Sequence, residues 1–219
     1  IIVDERGAIA VDARIVVGQA AQASPGRAGR YGHLSILPYP ARLQQVWPFK
    51  GGGEYTVRPI RPDDAQLLQQ FVRKLSSESR YLRFVSNMAE MPPSMLSRFT
   101  LIDYDREMAL CAVIETEQTL ADGGKELGEK MIGVSRYITN PDQTSCEFSL
   151  VVADEYAGQG LGRRLMLAIM DAARDKGLQE MMGLVLTNNG GMLRLMRGLG
   201  FEVKPFPEDP DFRLVTHPL

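Results

Sequence analysis

Behind Pro62-Asp63-Asp64, apolar residues recur at Leu67, Leu68, Phe71, Val72 and Leu75. That spacing puts them on one helical face, and proline followed by two acids marks where the helix starts. "SSESRYLRF" (76–84) and "SMLSRFTL" (94–101) predict two further short helices. Strand patterns lie at "EYTVRPI" (54–60), "EMALCAVIE" (107–115), "MIGVSRYIT" (131–139), "SCEFSLVV" (145–152) and "MMGLVL" (181–186). The polar run "TEQTLADGGKELGEK" reads as a loop between the second and third of these. Residues 160–176 carry Leu161, Leu165, Ala168, Ile169 and Ala172 on one stripe and end at Lys176-Gly177, a cationic last turn followed by a helix-stopping glycine. A helix over 189–199, then "GFEVKPF" and "FRLVT", completes a compact α/β (α+β) domain over 54–219.

The first 53 residues have a different character. "IIVDERGAIAVDARIVV" (1–17) alternates apolar and polar residues on both sides of Asp4-Glu5-Arg6-Gly7, a hairpin signal. Two strands alone are marginal in water, so this hairpin wants partners. Residues 18–53 are rich in Gly, Ala, Ser and Pro and read as a linker, with Leu34, Ile36, Tyr39 and Trp47 as anchors against a neighbouring domain. The chain begins without methionine and is expected to be a piece of a longer protein.

A formal net charge of −2 over 219 residues gives no global basic field, so neither nucleic acid nor an anionic membrane is an expected partner. No run approaches the roughly 18 apolar residues of a membrane span. Cys111 and Cys146 sit in strand-like runs without metal-ligand spacing and read as buried thiols of a reducing cytoplasm.

The chemistry centres on "YAGQGLGRRLM" (156–166), with glycines at 158, 160 and 162. A P-loop needs Gly-Lys-Ser/Thr at its end, and here Gly162 precedes Arg163-Arg164. A dinucleotide fingerprint needs Gly or Ala where Arg163 stands. Two readings remain: a tight strand-to-helix turn, or a pyrophosphate cradle of backbone N–H groups at a helix N-terminus.

Together with "TNNGGMLRLMRGLGF", this loop resembles the GNAT superfamily of acyl-CoA-dependent N-acyltransferases, over residues 54–216. Gly160 and Gly162 match the family pattern Gln/Arg-x-x-Gly-x-Gly/Ala, while Ala157 stands where Gln or Arg is expected. Asn189 lies at the family's spacing before Gly200-Phe201. "HLSILPYP", "LSSESRYLRF" and "FTLIDYDREMAL" look more closely like the GNAT module of bacterial Pat-type protein lysine acetyltransferases. There, such a module follows an ATP-grasp domain, whose last strands residues 1–17 resemble. Too little of that domain is present for an ATP site to be expected.

The resemblance implies a mixed, mostly antiparallel twisted sheet flanked by helices, with a V-shaped acyl-CoA cleft between the fourth and fifth strands (145–152 and 181–186). Acetyl-CoA is the implied co-substrate, with no metal. The backbone of Leu150, Val151 and Val152 is expected to bond the pantetheine, and the N–H groups of Gln159, Gly160, Leu161, Gly162 and Arg163 the pyrophosphate. Arg163 or Arg164 adds charge there, or both are ordinary solvated arginines. Asn189 bonds the pantetheine arm or caps its helix. Glu147 is the implied general base, against the reading of an outward-facing strand glutamate. A lysine amine of pKa ~10.4 is protonated at pH 7, a deficit of about 4.6 kcal/mol, whereas a thiol leaving group of pKa ~8.5 departs readily. A base therefore matters more than an acid, and the position where many relatives carry a tyrosine acid holds Met196. Asp103, Asp105 and Glu107 are lesser candidates for meeting the acceptor.

The implied function is direct transfer of acetyl to a lysine of a protein, an AMP-forming acyl-CoA synthetase by resemblance. Arg73, Lys74, Arg80 and Arg83 offer a basic rim suited to an acidic protein surface. The alternatives are a small-amine acetyltransferase and a non-catalytic acyl-CoA sensor, the latter prompted by Ala157 and Met196.

Overall fold

The computed structural model describes residues 2–4, 7–9, 37–86, 88–119 and 124–219. Strands β1 (Ile2–Asp4) and β2 (Gly7–Ile9) pair antiparallel with Asp4 opposite Gly7, which is the hairpin expected there. The rest of the 1–17 pattern and the anchors Leu34 and Ile36 lie outside the described residues.

The main sheet has eight strands: β3 (Gln45–Pro48), β4 (Glu54–Pro59), β5 (Glu107–Thr119), β6 (Lys125–Thr139), β7 (Ser145–Val152), β8 (Glu180–Leu186), β9 (Glu202–Pro205) and β10 (Phe212–Pro218). Their spatial order is β3-β4-β5-β6-β7-β8-β10-β9, and every neighbouring pair is antiparallel except β7 with β8. The expected mixed, mostly antiparallel sheet is what forms.

Alternation along the central strands splits the core into two layers. Met108, Leu110, Tyr137, Cys146, Phe148 and Leu150 face α4 (Leu161–Asp175) and α5 (Gly190–Gly198). Ala109, Cys111, Val113 and Val134 face α1 (Ala65–Lys74), with α2 (Ser77–Phe84) and α3 (Pro93–Thr100) completing that side. The stripe on α4 is buried at Leu161, Leu165, Ile169 and Ala172 as its periodicity requires, while Ala168 is half-buried. Burial of each large side chain contributes about 1.5–3 kcal/mol, so this stripe anchors the glycine loop that precedes it.

Two segments differ from expectation. The sheet starts inside the segment read as a linker: Gln45–Pro48 pairs with β4 as an edge strand, Trp47 opposite Tyr55. An edge strand half in water needs no apolar alternation, so its pattern was silent. The polar run 116–130 is largely strand as well, because β5 and β6 continue pairing out to Thr119 opposite Lys125. This outer ribbon has solvent on both faces, with Leu127 71% exposed, and again no alternation betrays it.

Asp64, predicted only as a helix opener, is buried, with both oxygens 2.7 Å from the buried Arg58 guanidinium. Its Oδ2 also accepts the Arg61 N–H, which fixes the turn into α1.

Candidate functional site

The one parallel pair among the described strands shapes the candidate site. β7 and β8 stay in register only at Ser145–Glu180, Cys146–Met181 and Glu147–Met182. At the next pair the Phe148 ring lies across Gly183, where a Cβ would sit 2.7 Å from a ring carbon. Only glycine permits that approach. Beyond it β7 keeps β6 on one side, Leu150 opposite Ser135 and Val152 opposite Gly133, but has no strand on the β8 side. This opens the V expected between the fourth and fifth strands counted from Glu54.

The opening is a cleft of about 610 Å³. Leu150, Val151 and Val152 form one wall and Gly158, Gly160, Gly162 and Arg163 the end. Asn189, Met192, Arg194 and Leu195 of α5 face Ser79, Leu82 and Arg83 of α2. Gly160, at φ 90°, is the left-handed residue that turns the loop into α4, a conformation that would strain any residue with a Cβ. The first helical bond back to it is Arg164 N–H to Gly160 O, 3.1 Å. The N–H groups of Gly160, Leu161, Gly162 and Arg163 therefore have no helical acceptor, and among the described residues nothing else takes them. An anion at this end would receive those donors together with the positive end of the helix dipole.

Seven of the ten candidate residues line the cleft: Leu150, Val151, Val152, Gly160, Gly162, Arg163 and Asn189. The Gln159 side chain instead donates to Glu155 O at 2.9 Å, and Leu161 points into the core, so either can offer only its backbone. Arg164 does not serve the cleft, because its guanidinium lies 3.6 Å over the Trp47 ring. Asn189 is the N-cap of α5, its Oδ1 accepting the Met192 N–H at 3.0 Å. Glu147 stands at the last paired position, exposed, on the sheet face that also carries Ser149. Its carboxylate makes no hydrogen bond or ion pair among the described residues.

α2 supplies what the sequence did not reveal. Arg83 crosses to β7 and donates to Ser149 Oγ at 2.9 Å. Burial, reinforced by the nearby Arg136 charge and opposed by Glu147, pushes its guanidinium down to about 10, so it remains a cation at neutral pH. It is thus a cleft residue and not part of an outer basic rim. The rim is further reduced because Arg73 pairs with Glu90 at 3.0 Å and Arg80 donates to Leu75 O and Ser77 Oγ. The acidic candidates are also spoken for: Glu107 is buried between Arg136 and Arg98, Asp105 pairs with Lys176, and Asp103 accepts from Asp105 N–H. Met196 is fully buried in the core and meets no substrate. Both cysteines are buried and free, and burial pushes each thiol up to about 12, which removes them as nucleophiles near neutral pH.

Asp154 clamps α2 to the approach of the glycine loop. Its carboxylate accepts from Ser76 N–H (2.7 Å), Ser76 Oγ (3.0 Å) and Ser79 Oγ (2.5 Å). Burial alone would raise its pKa, but these bonds outweigh that and hold it below the usual carboxylate range. The stabilisation is therefore complete above the unfolded value of ~3.9 and lost as pH falls through the lower folded value. Asp154→Ala should melt roughly 2–4 °C lower, the size of one lost helix cap, in thermal scans at pH 5–8. The gap to wild type should narrow as pH falls below ~3.9 toward the lowered folded value; a gap that stays constant down the acid limb would contradict the clamp.

The sequence profile of the Acetyltransferase (GNAT) family matches residues 84–201, from the end of α2 through the glycine loop to the end of α5. The chain belongs to this family. It is 31% identical to the acetyltransferase PA5475 of Pseudomonas aeruginosa over 158 residues, 72% of this chain and 80% of that one. It is 27% identical to acetyltransferase Pat of Mycolicibacterium smegmatis over 166 residues, 75% of this chain but 44% of that relative. The crystal structure of the GNAT domain of S. lividans PAT superposes with a TM-score of 0.73 at 25% identity, covering 83% of this chain and 100% of that domain. This GNAT member is thus an acyltransferase of a family whose co-substrate is acetyl-CoA, and it shares the GNAT module of Pat proteins. None of its helices is long and apolar enough to cross a membrane, among the described residues.

Proposed function

We propose that this GNAT domain transfers acetyl from acetyl-CoA directly to a lysine side chain on a protein, with Glu147 as the base. One observation carries the reading: an exposed carboxylate stands at the last paired position of β7, three residues before the cleft wall begins at Leu150, on an apolar stretch of sheet. Ile138, the cross-strand partner of Glu147, is 41% exposed, and Leu184, two residues beyond its parallel partner Met182, is 43% exposed. Cross-strand partners share a face, so Glu147, Ile138 and Leu184 point the same way. A folded protein presenting a lysine covers such a surface more favourably than a small polycation does.

The roles follow from position. The backbone of Leu150 and Val152 faces the side where β8 has parted and has hydrogen-bonding capacity left for the pantetheine amides, while Val151, one residue out of phase, bonds β6 and lies between them. The N–H groups from Gly160 to Arg163 would hold the pyrophosphate. A backbone N–H of β7 would polarise the thioester carbonyl as charge develops on its oxygen. Glu147 takes the proton from the attacking amine, directly or through one water. With both thiols buried and protonated, a direct attack by the amine is favoured over a covalent enzyme intermediate. The likeness to Pat proteins supports a protein acceptor, and an AMP-forming acyl-CoA synthetase is the acceptor class to try first.

The test is incubation with acetyl-CoA and such a synthetase. A single acetyl group should appear on one lysine by mass spectrometry while synthetase activity falls in step. Faster acetylation of polyamines or aminoglycosides would make this a small-amine enzyme. Binding of acetyl-CoA without turnover on any amine would make it a sensor.

A further inference from the structure

We propose that Lys50, at the tip of the β3–β4 hairpin, is a phosphate ligand of the acyl-CoA co-substrate. The segment read from sequence as a linker would then complete the cofactor site. The inference rests on the acyl-CoA reading above and adds a residue that neither family signature contains.

The hairpin is held against the glycine loop by its own aromatics. Phe49 N–H donates to Gly53 O at 3.0 Å and Gly52 N–H to Phe49 O at 3.2 Å, which closes the turn. Phe49 stacks on Tyr156 at 5.6 Å between ring centroids and packs on Tyr55 at 4.6 Å. Tyr156 itself lines the cleft. Two residues before Phe49, Trp47 lies under the Arg164 guanidinium of α4. The tip is thereby pinned to the residues before and after the bend at Gly160.

Its position follows. The Lys50 Cε lies 3.9 Å from where a Cβ on Gly160 would be, at the residue that caps α4. The ammonium one bond further on can reach an anion seated on the free N–H groups of Gly160 to Arg163. Lys50 is exposed and has no carboxylate partner among the described residues. The acids nearest in the loop are committed elsewhere, Glu155 to Lys130 and Asp154 to α2. The loop from Ala157 to Gly160 brings no cation of its own, and Arg164 is held by Trp47. Arg163 is then the cation that α4 turns toward the cleft, with Arg83 of α2 and Arg194 of α5 on its walls, and the co-substrate carries a diphosphate and a ribose 3′-phosphate. A cation at Lys50 would add to Arg163 at the glycine-loop end, where the phosphate negative charge is expected to sit.

Calorimetry with coenzyme A and with 3′-dephospho-coenzyme A, on the chain and its Lys50 variants, tests the assignment. Lys50→Met should raise the Kd for coenzyme A about 3–10-fold, Lys50→Glu should raise it further, and Lys50→Arg should stay within about twofold of wild type. Melting temperatures should not move, since the side chain is exposed. A penalty that vanishes with the dephospho compound places the ammonium on the 3′-phosphate, and one that persists places it on the diphosphate; either supports the proposal. Unchanged affinity in both Lys50→Met and Lys50→Glu overturns it, as does an equal loss in Lys50→Arg. Failure of the wild-type chain to bind coenzyme A would instead overturn the acyl-CoA reading beneath it.

Discussion

Glu147→Gln is expected to lower kcat by about 10²–10⁴-fold while leaving acetyl-CoA affinity near wild type. The substitution keeps the shape of the side chain and removes its basicity. Glu147 sits outside the residues that line the cleft, at the last paired position of β7, so its amide analogue disturbs no cofactor contact. The exposed carboxylate makes no hydrogen bond or ion pair among the described residues, and the fold loses no cap or buried pair with it. At pH 7 an acceptor lysine of pKa ~10.4 is deprotonated in roughly one molecule in 10³, which is the deficit a base must overcome. Each unit of rising pH makes about tenfold more free amine, so the defect of the variant should shrink toward pH 10. A pH-rate series with purified variant reads this directly. A defect equal at every pH, or confined to KM, would assign Glu147 a structural or docking role.

Gly162→Glu should weaken acetyl-CoA binding by at least about 100-fold, or about 2.8 kcal/mol, with an unchanged circular dichroism spectrum. A Cβ at Gly162 would meet Leu150 and Leu195 at 3.5 Å and Val152 at 3.7 Å, which are ordinary contacts. The fold therefore tolerates a side chain there, and Gly162→Ala serves as the control. All three neighbours line the cleft, so anything longer grows into the space the pantetheine needs. A carboxylate adds like-charge repulsion beside a pyrophosphate and must be desolvated in an apolar wall. If Gly162→Glu binds acetyl-CoA as the wild type does, the cleft is not the cofactor site.

Much of this site was legible because it is built from local signals. The glycines at 158, 160 and 162 fall within one short loop, and two of them do adopt left-handed backbone, at φ 75° and 90°. Asn189 three residues before Met192 is a cap motif that sequence spacing encodes. The residues that sequence reading missed or misplaced share a different property: their partners are distant in the chain. Arg83 reads as a rim cation on an amphipathic helix until its Ser149 partner, 66 residues away, draws it into the cleft. Ser76 and Asp154 meet across 78 residues. Glu107, next to polar loop residues, turns out to be buried only because Arg136 arrives on the neighbouring strand.

The sequence by itself determined the elements and the chemistry each can carry: the helical stripe of α4, the alternation of β5 to β7, the glycine loop and an isolated strand carboxylate. Those are properties of single segments, set by periodicities of 3.6 and 2 and by backbone preference. The tertiary structure alone decided that Gln45–Pro48 is an edge strand, that the polar ribbon beyond Ile114 is sheet, which cations stay free, and that Phe148 over Gly183 parts β7 from β8. Each of these depends on what a second segment brings. An edge strand is held by hydrogen bonds to one neighbour, and a solvated ribbon by a partner equally polar. A cation is free only if no carboxylate folds beside it. Such pairings are energies between segments, and no periodicity within one segment records them.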